Sequence, residues 1–290
     1  MLNIESLIGW YDANARDLPW RRPGTTPWGV LVSEIMLQQT PVARVAPVWQ
    51  EWIDRWPRPS ALAVEPAGEA VRAWGKLGYP RRALRLHECA GVLAREHGDT
   101  VPRNVDALLA LPGIGAYTAR AVAAFAHGAR CPVVDTNVRR VVARAVYGVA
   151  DAGPSSTARD LSDVDALLPD RPDVAARCSV ALMELGAVLC TVRAPRCAEC
   201  PVLAGCAWVR AGRPAYDGRV KPVQRFAGTD RQVRGLLMDV LRDTDGPVRR
   251  ANLDVVWADA AQRDRCLDSL LVDGLVEQTA DGLFALPGEH

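Results

Sequence analysis

Four cysteines fall within seventeen residues: Cys190, Cys197, Cys200 and Cys206, spaced C-x6-C-x2-C-x5-C. Thiolates this close together can enclose one metal centre. Zinc accepts four cysteines and so does a [4Fe–4S] cluster, and the spacing alone admits both. Cys89, Cys131, Cys178 and Cys266 are scattered, mostly among apolar neighbours, and read as small core residues. Glu34 sits in Val30-Leu31-Val32-Ser33-Glu34-Ile35-Met36-Leu37. Apolar residues on most sides should raise its pKa, which suits a general acid; a glutamate at the wet edge of a helix is the plainer reading. Asp135 precedes Thr136-Asn137-Val138, where any of the three polar residues could cap a helix beginning near Val138. Gly113 and Gly115, in Leu111-Pro112-Gly113-Ile114-Gly115, lie between two apolar helical stretches. Two glycines at this spacing make a tight turn and bare backbone N–H groups at the start of the next helix, a site for an anion. An ordinary helix–helix turn is the alternative.

The elements that must position these groups are helices. Apolar residues recur at helical spacing around Leu7, Ile8 and Tyr11 and over 30–39, 60–65, 69–74, 82–97, 105–110, 116–127, 138–147, 159–168 and 173–189, with short Pro or Gly breaks. No long alternating stretch appears before residue 270, so the body is expected to be mainly α. The stretch 208–229 breaks the pattern with Arg210, Arg213, Pro214, Arg219, Lys221, Pro222 and Arg225 and reads as a basic linker. Beyond it, 232–242, 250–257 and 260–271 read as helices. Residues 274–278 and 283–286 alternate like two short strands around Ala280-Asp281-Gly282, which suggests a small winged-helix-like domain.

A chain of 290 residues, 49% apolar, has room for two or three domains. No apolar run reaches the length of a membrane span. Met1 to Trp10 has no basic stretch leading into an apolar one, so no signal peptide is expected and the chain is placed in the cytoplasm. In that setting the cysteine cluster reads as a metal site before it reads as disulfides. The net charge of +1 excludes little, but its distribution is uneven. Residues 231–290 hold seven basic and eleven acidic side chains, and the rest of the chain is net positive. An acidic C-terminal segment is poorly suited to reading DNA; packing or protein contact fits it at least as well.

The cysteine spacing resembles the cluster loop of the endonuclease III and MutY glycosylases, and Leu111–Gly115 with Ala116-Tyr117-Thr118 resembles the helix-hairpin-helix of the same superfamily. Three further strings are similar to motifs of MutY-type adenine glycosylases: Asp17-Leu18-Pro19-Trp20-Arg21, Ser33-Glu34-Ile35-Met36-Leu37-Gln38-Gln39-Thr40, and Met183-Glu184-Leu185-Gly186-Ala187. The match runs over roughly residues 5–207. It implies a mainly α, two-lobed helix-hairpin-helix glycosylase fold. Residues 24–135 would form a six-helix barrel with the hairpin, 1–23 and 136–207 a helical iron–sulfur lobe, 208–229 the linker and 230–290 the winged-helix-like domain. It implies a [4Fe–4S] cluster on Cys190, Cys197, Cys200 and Cys206, ordering a loop whose Arg193 and Arg196 approach phosphate. Glu34 would protonate adenine N7. Asp135 would shield the positive charge that builds on the sugar as the N-glycosidic bond breaks, with Asn137 in the same catalytic set and Tyr117 supporting Asp135. Arg16, Trp20 and Arg21 would line or flank the adenine pocket, and Glu184 would hydrogen-bond the flipped base; a buried Trp and two surface ion pairs are the plainer reading. Leu37, Gln39 and Thr40 would enter the duplex. Gly113 and Gly115 would grip its backbone. Tyr79, in Leu77-Gly78-Tyr79, would wedge beside 8-oxoguanine and help to extrude the target.

Tyr117 is the most diagnostic residue. The strand-cleaving endonuclease III branch carries a lysine there that attacks C1′ and forms a Schiff base, which a tyrosine cannot do. The expected activity is therefore monofunctional: a monomer that removes adenine opposite 8-oxoguanine or guanine from double-stranded DNA during base excision repair, associated with the nucleoid and with no membrane partner. Lys76 and Pro80 depart from the family's GLGYY motif, and Thr136 stands where glycine is common. The C-terminus departs further. Many family members carry a mixed α/β domain, similar to Nudix hydrolases, that clamps 8-oxoguanine, and residues 230–290 are too few for it. How 8-oxoguanine is preferred is thus left open, and the C-terminal domain is available for contact with protein or DNA. Two other readings stand beside this one. A thymine glycosylase acting on G·T mispairs also has tyrosine at the hairpin. A non-enzymatic iron–sulfur DNA-binding regulator would need neither Glu34 nor Asp135.

Overall fold

The computed structural model describes residues 2–155, 157–216 and 225–289. Of the expected linker, Arg219, Lys221 and Pro222 lie outside the described residues. The chain is mainly helical, as its periodicity requires. In order run α1 (Ile4–Asn14), a 3-10 turn (Pro19–Arg21), α2 (Pro27–Met36), α3 (Val42–Arg55), α4 (Pro59–Ala63), α5 (Ala67–Trp74), α6 (Arg81–Glu96), α7 (Val105–Leu109) and α8 (Ala116–His127). Then follow α9 (Thr136–Ala145), α10 (Thr157–Asp165), α11 (Pro172–Val188), two short 3-10 turns, α12 (Ala207–Arg210), α13 (Asp230–Arg242), α14 (Arg250–Asp254), α15 (Ala260–Val272), β1 (Glu277–Gln278) and β2 (Phe284–Ala285). Contacts divide the chain into two compact units: residues 1–30, 102–110 and 114–220, and residues 31–101, 111–113 and 221–290.

In the first unit, α1 and α9 pack on α11. Leu7, Val138, Val141, Leu182, Leu185 and Leu189 form its core, all nearly inaccessible to water. Apolar burial of this kind contributes roughly 25 cal/mol per Å² and dominates the packing free energy. Helix α8 starts at Gly115, which has no side chain to cap it, and stops at Gly128, left-handed at φ +68°.

In the second unit, α4 and α5 pack on α6, and α3 packs on α5. Trp52 meets Trp56 and Trp74 edge to face, with ring centroids 4.7 and 5.8 Å apart. Helix α13 packs on α14 and α15. The hairpin pairs Glu277 with Ala285 and Gln278 with Phe284, and Val248 exchanges two backbone hydrogen bonds with Phe284.

Two differences from the sequence reading concern the site. Helix α3 is absent from the periodicity because polar residues and Pro47 interrupt it. Its buried stripe, Val45, Trp49, Trp52 and Trp56, nonetheless keeps helical spacing. Pro47 and Ala43 are both exposed, so the carbonyl that loses its i+4 partner can be solvated. Helix α2 was expected to run to Gln39 but ends at Met36. Gln39 adopts φ +54°, which a continuing helix does not allow.

Candidate active site

In the first unit, Asp135 is the N-cap of α9 and does two things at once. One carboxylate oxygen accepts the Val138 N–H at 2.7 Å, and the other accepts Asn137 Nδ2 at 2.8 Å. Asn137 Oδ1 in turn accepts Arg140 Nη2 at 2.8 Å. Arg140, buried on α9, also donates to the carbonyls of Gly186 at 2.6 Å and Cys190 at 2.7 Å. A continuous set of hydrogen bonds therefore runs from the Asp135 carboxylate to the start of the cysteine loop. Gly186 is glycine because α9 crosses α11 there: a Cβ would lie 2.8 Å from both Cβ and the carbonyl oxygen of Asn137. Tyr117 is half-buried on α8, packed on a small cluster that includes Val133, two residues before Asp135.

Glu184, on α11, is fully buried. Arg16 grips both its oxygens, through its backbone N–H at 3.1 Å, Nε at 2.6 Å and Nη2 at 2.8 Å. Arg21 adds Nη1 at 2.9 Å. Burial by itself would raise this carboxyl's pKa, but the two guanidinium groups outweigh it and hold the value down to about 2. The plainer reading of two surface ion pairs gives way to one cluster around the buried Glu184, with both its oxygens taken by arginine and Arg16 itself 37% exposed. Trp20 lies buried in the turn between Pro19 and Arg21.

Cys190, Cys197, Cys200 and Cys206 line one cavity of about 390 Å³ of atom-free space including its open mouth, together with Arg144 and Trp208. Arg144 Nη1 lies 3.5 Å from Cys190 Sγ and donates to the Thr191 carbonyl at 2.7 Å. Its guanidinium stacks 4.7 Å from the Trp208 ring centroid. Burial, reinforced by the neighbouring thiols, pushes Cys200 up to about 11. Among the described residues no three His, Cys, Asp or Glu side chains converge as a single-ion site. The four cysteines line the same cavity. Arg196 donates to Glu199 at 3.0 Å, and Arg193 is exposed.

In the second unit, Glu34 on α2 is 7% exposed, flanked by the buried Leu31, Val32, Ile35 and Met36. Just beyond α2, Leu37 is half-buried and Gln39 exposed, whereas Thr40 is buried with its hydroxyl 3.3 Å from the Leu77 carbonyl. Arg82 holds this turn. It donates to the carbonyls of Ile35 at 2.8 Å, Gln38 at 2.6 Å and Gly78 at 3.0 Å, and to Thr40 Oγ1 at 3.1 Å. The same guanidinium lies 5.3 Å from the ring centroids of both Trp74 and Tyr79. Tyr79 is 52% exposed and left-handed at φ +51°. Gly113, at φ +75°, is exposed in this unit, and Gly115 is exposed in the first.

A family model described as HhH-GPD superfamily base excision DNA repair protein matches residues 32–164. The adenine DNA glycosylase of Mycolicibacterium smegmatis is 68% identical over 286 residues, 98% of this chain and 95% of that protein. The chain belongs to the adenine DNA glycosylases of the HhH-GPD superfamily. A solved thermostable thymine-DNA glycosylase superposes with a TM-score of 0.64 at 27% identity, covering 72% of this chain and 95% of that one. Endonuclease III in a non-covalent complex with DNA gives 0.60 at 21% identity, covering 72% and 94%, and shows the shared fold.

Three arginines of this adenine DNA glycosylase chain were not among the residues singled out from its sequence. Arg82, Arg140 and Arg144 tie the expected site residues together. Arg140 and Arg144 carried a readable signal, since they stand four apart on the same α9 face as valines and alanines that are buried. A charged residue on an apolar stripe must find partners. Arg82 offers no such signal, because its acceptors come from a turn 42 to 47 residues away and from Gly78.

Proposed function

We propose that this chain hydrolyses the N-glycosidic bond of adenine mispaired with 8-oxoguanine or guanine in duplex DNA, leaving an abasic site. The observation that carries it is the 68% identity, nearly end to end, to a protein named adenine DNA glycosylase. The residue chemistry supports it. Glu34, buried among apolar side chains, donates a proton to N7 of the extruded adenine and makes the base a leaving group. Asp135, its carboxylate oriented by Val138 N–H and Asn137, stabilises the positive charge that develops at C1′. Water completes the hydrolysis. Tyr117 offers no amine for a Schiff base, so the strand stays intact. Arg16, Trp20, Arg21 and Glu184 shape the base pocket. Leu37, Gln39, Thr40 and Tyr79 engage the duplex, and Gly113 and Gly115 present backbone N–H groups to phosphate.

Cys190, Cys197, Cys200 and Cys206 would hold a [4Fe–4S] cluster, fitting four thiols around one cavity. When bound, the cluster supplies structural order to the loop 190–206 rather than reaction chemistry. The organisation read from the sequence belongs to the same proposal: barrel 24–135, iron–sulfur lobe 1–23 and 136–207, linker 208–229, and winged-helix-like domain 230–290. A monomer acting on chromosomal DNA places the protein in the cytoplasm with the nucleoid. Among the described residues no helix is long and apolar enough to cross a membrane.

The test is single-turnover excision on a duplex with one adenine opposite 8-oxoguanine, read with and without hot alkali, beside a G·T duplex. Product from the adenine duplex only after alkali is expected, and Glu34→Gln should abolish it while leaving binding intact. Cutting of G·T alone would transfer the chain to thymine chemistry. Silence on both duplexes, with cluster absorbance present and binding retained, would point to the non-enzymatic DNA-binding reading.

A further inference from the structure

Within the first unit, between α9, α10 and the loop that joins them, lies a cavity of about 340 Å³. None of the residues assigned to excision lines it. Its apolar surface comes from Val134, Val142, Val149, Ala152, Pro154 and Val164. That volume falls within the roughly 300–1,000 Å³ of small-molecule sites, whose walls are mostly apolar with a few polar groups.

Two sets of polar groups complete the lining, and they differ. Arg139 Nε donates to Asp160 at 2.7 Å, and its Nη2 donates to the carbonyls of Gly153 at 3.3 Å and Pro154 at 2.9 Å. These bonds tie the loop to α9 and α10 and are part of the fold. The second set is looser. Tyr147 donates its hydroxyl to one oxygen of Asp163 at 2.5 Å, which places a carboxylate at the edge of the ring. The Arg159 guanidinium lies 5.3 Å from the centroid of that ring, and its Nε lies 3.7 Å from the other Asp163 oxygen, beyond hydrogen-bond distance. Arg159 is 69% exposed, so this pair holds it weakly. Tyr147 and Val149 are themselves 46% and 47% exposed at the rim. An aromatic face with a carboxylate beside it attracts a cation. Arg159 supplies such a charge from α10 itself; the apolar walls call for an apolar body joined to the charge.

We infer that this cavity is a binding site for an organic cation with an apolar body. A guanidinium or ammonium head lies on the Tyr147 ring against Asp163 and displaces Arg159, while the apolar part runs along Val142, Val149 and Val164. Two sources share this chemistry: a small amphipathic amine or guanidine, and an arginine side chain next to an apolar residue in a partner's peptide. Val134 directly precedes Asp135, so the occupant lies against the helix that Asp135 caps.

The experiment uses the full chain, with calorimetry for affinity and amide chemical shifts for location. The probes are phenethylguanidinium, its neutral counterpart phenethylurea, and a phenylalanyl-arginine dipeptide blocked at both ends. Phenethylguanidinium is expected to bind with shifts centred on residues 134–164, and phenethylurea to bind about tenfold more weakly. Asp163→Asn should weaken the cation by about tenfold. Arg159→Ala removes the resident competitor and should tighten it about two- to fivefold, which a merely structural arginine would not do. Should Asp163→Asn fail to fold, Tyr147→Leu removes the exposed ring and takes its place, with the same loss expected. Tighter binding of the dipeptide than of phenethylguanidinium assigns the site to a partner's arginine, and the reverse order to a small molecule. Equal affinity for the cation and the urea, weaker binding after Arg159→Ala, or no shifts at 134–164 with any probe would each overturn the inference.

Discussion

Gly186→Ala tests whether the crossing of α9 and α11 holds Asp135 in place. The added Cβ would lie 2.8 Å from both Cβ and the carbonyl oxygen of Asn137 and 2.9 Å from its carbonyl carbon. Two of these are backbone atoms and cannot swing aside, so α9 must move. Overpacking of this kind costs about 1–3 kcal/mol, and alanine's better helix propensity returns up to about 1 kcal/mol. The net destabilisation should be about 0–2 kcal/mol, lowering Tm by up to roughly 8 °C for a unit of this size. The effect on excision should be larger than the effect on stability. Asn137 carries the 2.8 Å bond to the Asp135 carboxylate, and Arg140 ties Asn137 to the Gly186 carbonyl, so the displacement passes directly to the Asp135 carboxylate, the proposed catalytic group. A misplacement near 1 Å can cost on the order of 100-fold in rate. The assay is single-turnover excision with enzyme in excess, alongside thermal melting and duplex binding. Binding should be retained. A wild-type excision rate would refute the coupling, whatever the melting temperature does.

Other measurements address the remaining groups. Glu184→Gln removes the charge that Arg16 and Arg21 enclose and should cost about 3–5 kcal/mol at neutral pH. Because the folded carboxyl is held near 2, below its ordinary range, its contribution is complete above about pH 4.5 and lost as pH falls toward 2. Melting curves over that window should therefore fall more steeply for wild type than for Glu184→Gln, and parallel curves would refute the assignment. Arg82→Leu removes a donor from the carbonyls of Ile35, Gln38 and Gly78, of which Gln38 keeps Thr40 Oγ1 and Gly78 keeps Trp74 Nε1, and should destabilise by about 1–3 kcal/mol while slowing excision; urea midpoints and single-turnover rates check both. Cys200→Ser should reduce the iron content and visible absorbance of the purified protein and weaken duplex binding, and full iron occupancy in that variant would argue against the four-thiol set.

What the sequence determined by itself was chemistry tied to local spacing. Helices followed from periodicity because an apolar stripe must be buried whatever it is buried against. Asp135 could be read as a cap and the two glycines as a turn because both depend on a few adjacent residues. Four cysteines within seventeen residues could be read as one group for the same reason, and they line one cavity. Pro47 hid α3, since a rule about helix interiors cannot tell that the affected carbonyl faces water. The tertiary structure alone decided which groups meet across long separations. Nothing local to Glu184 shows that Arg16 and Arg21, 168 and 163 residues away, take both its oxygens while it lies fully buried. Arg82 becomes the centre of the Tyr79 turn, and Gly68 becomes the seat of the C-terminal tail, only once distant backbone lies against them. Buried carbonyls and carboxylates take whichever donor the packing brings, and packing is a property of the whole chain rather than of any stretch of it.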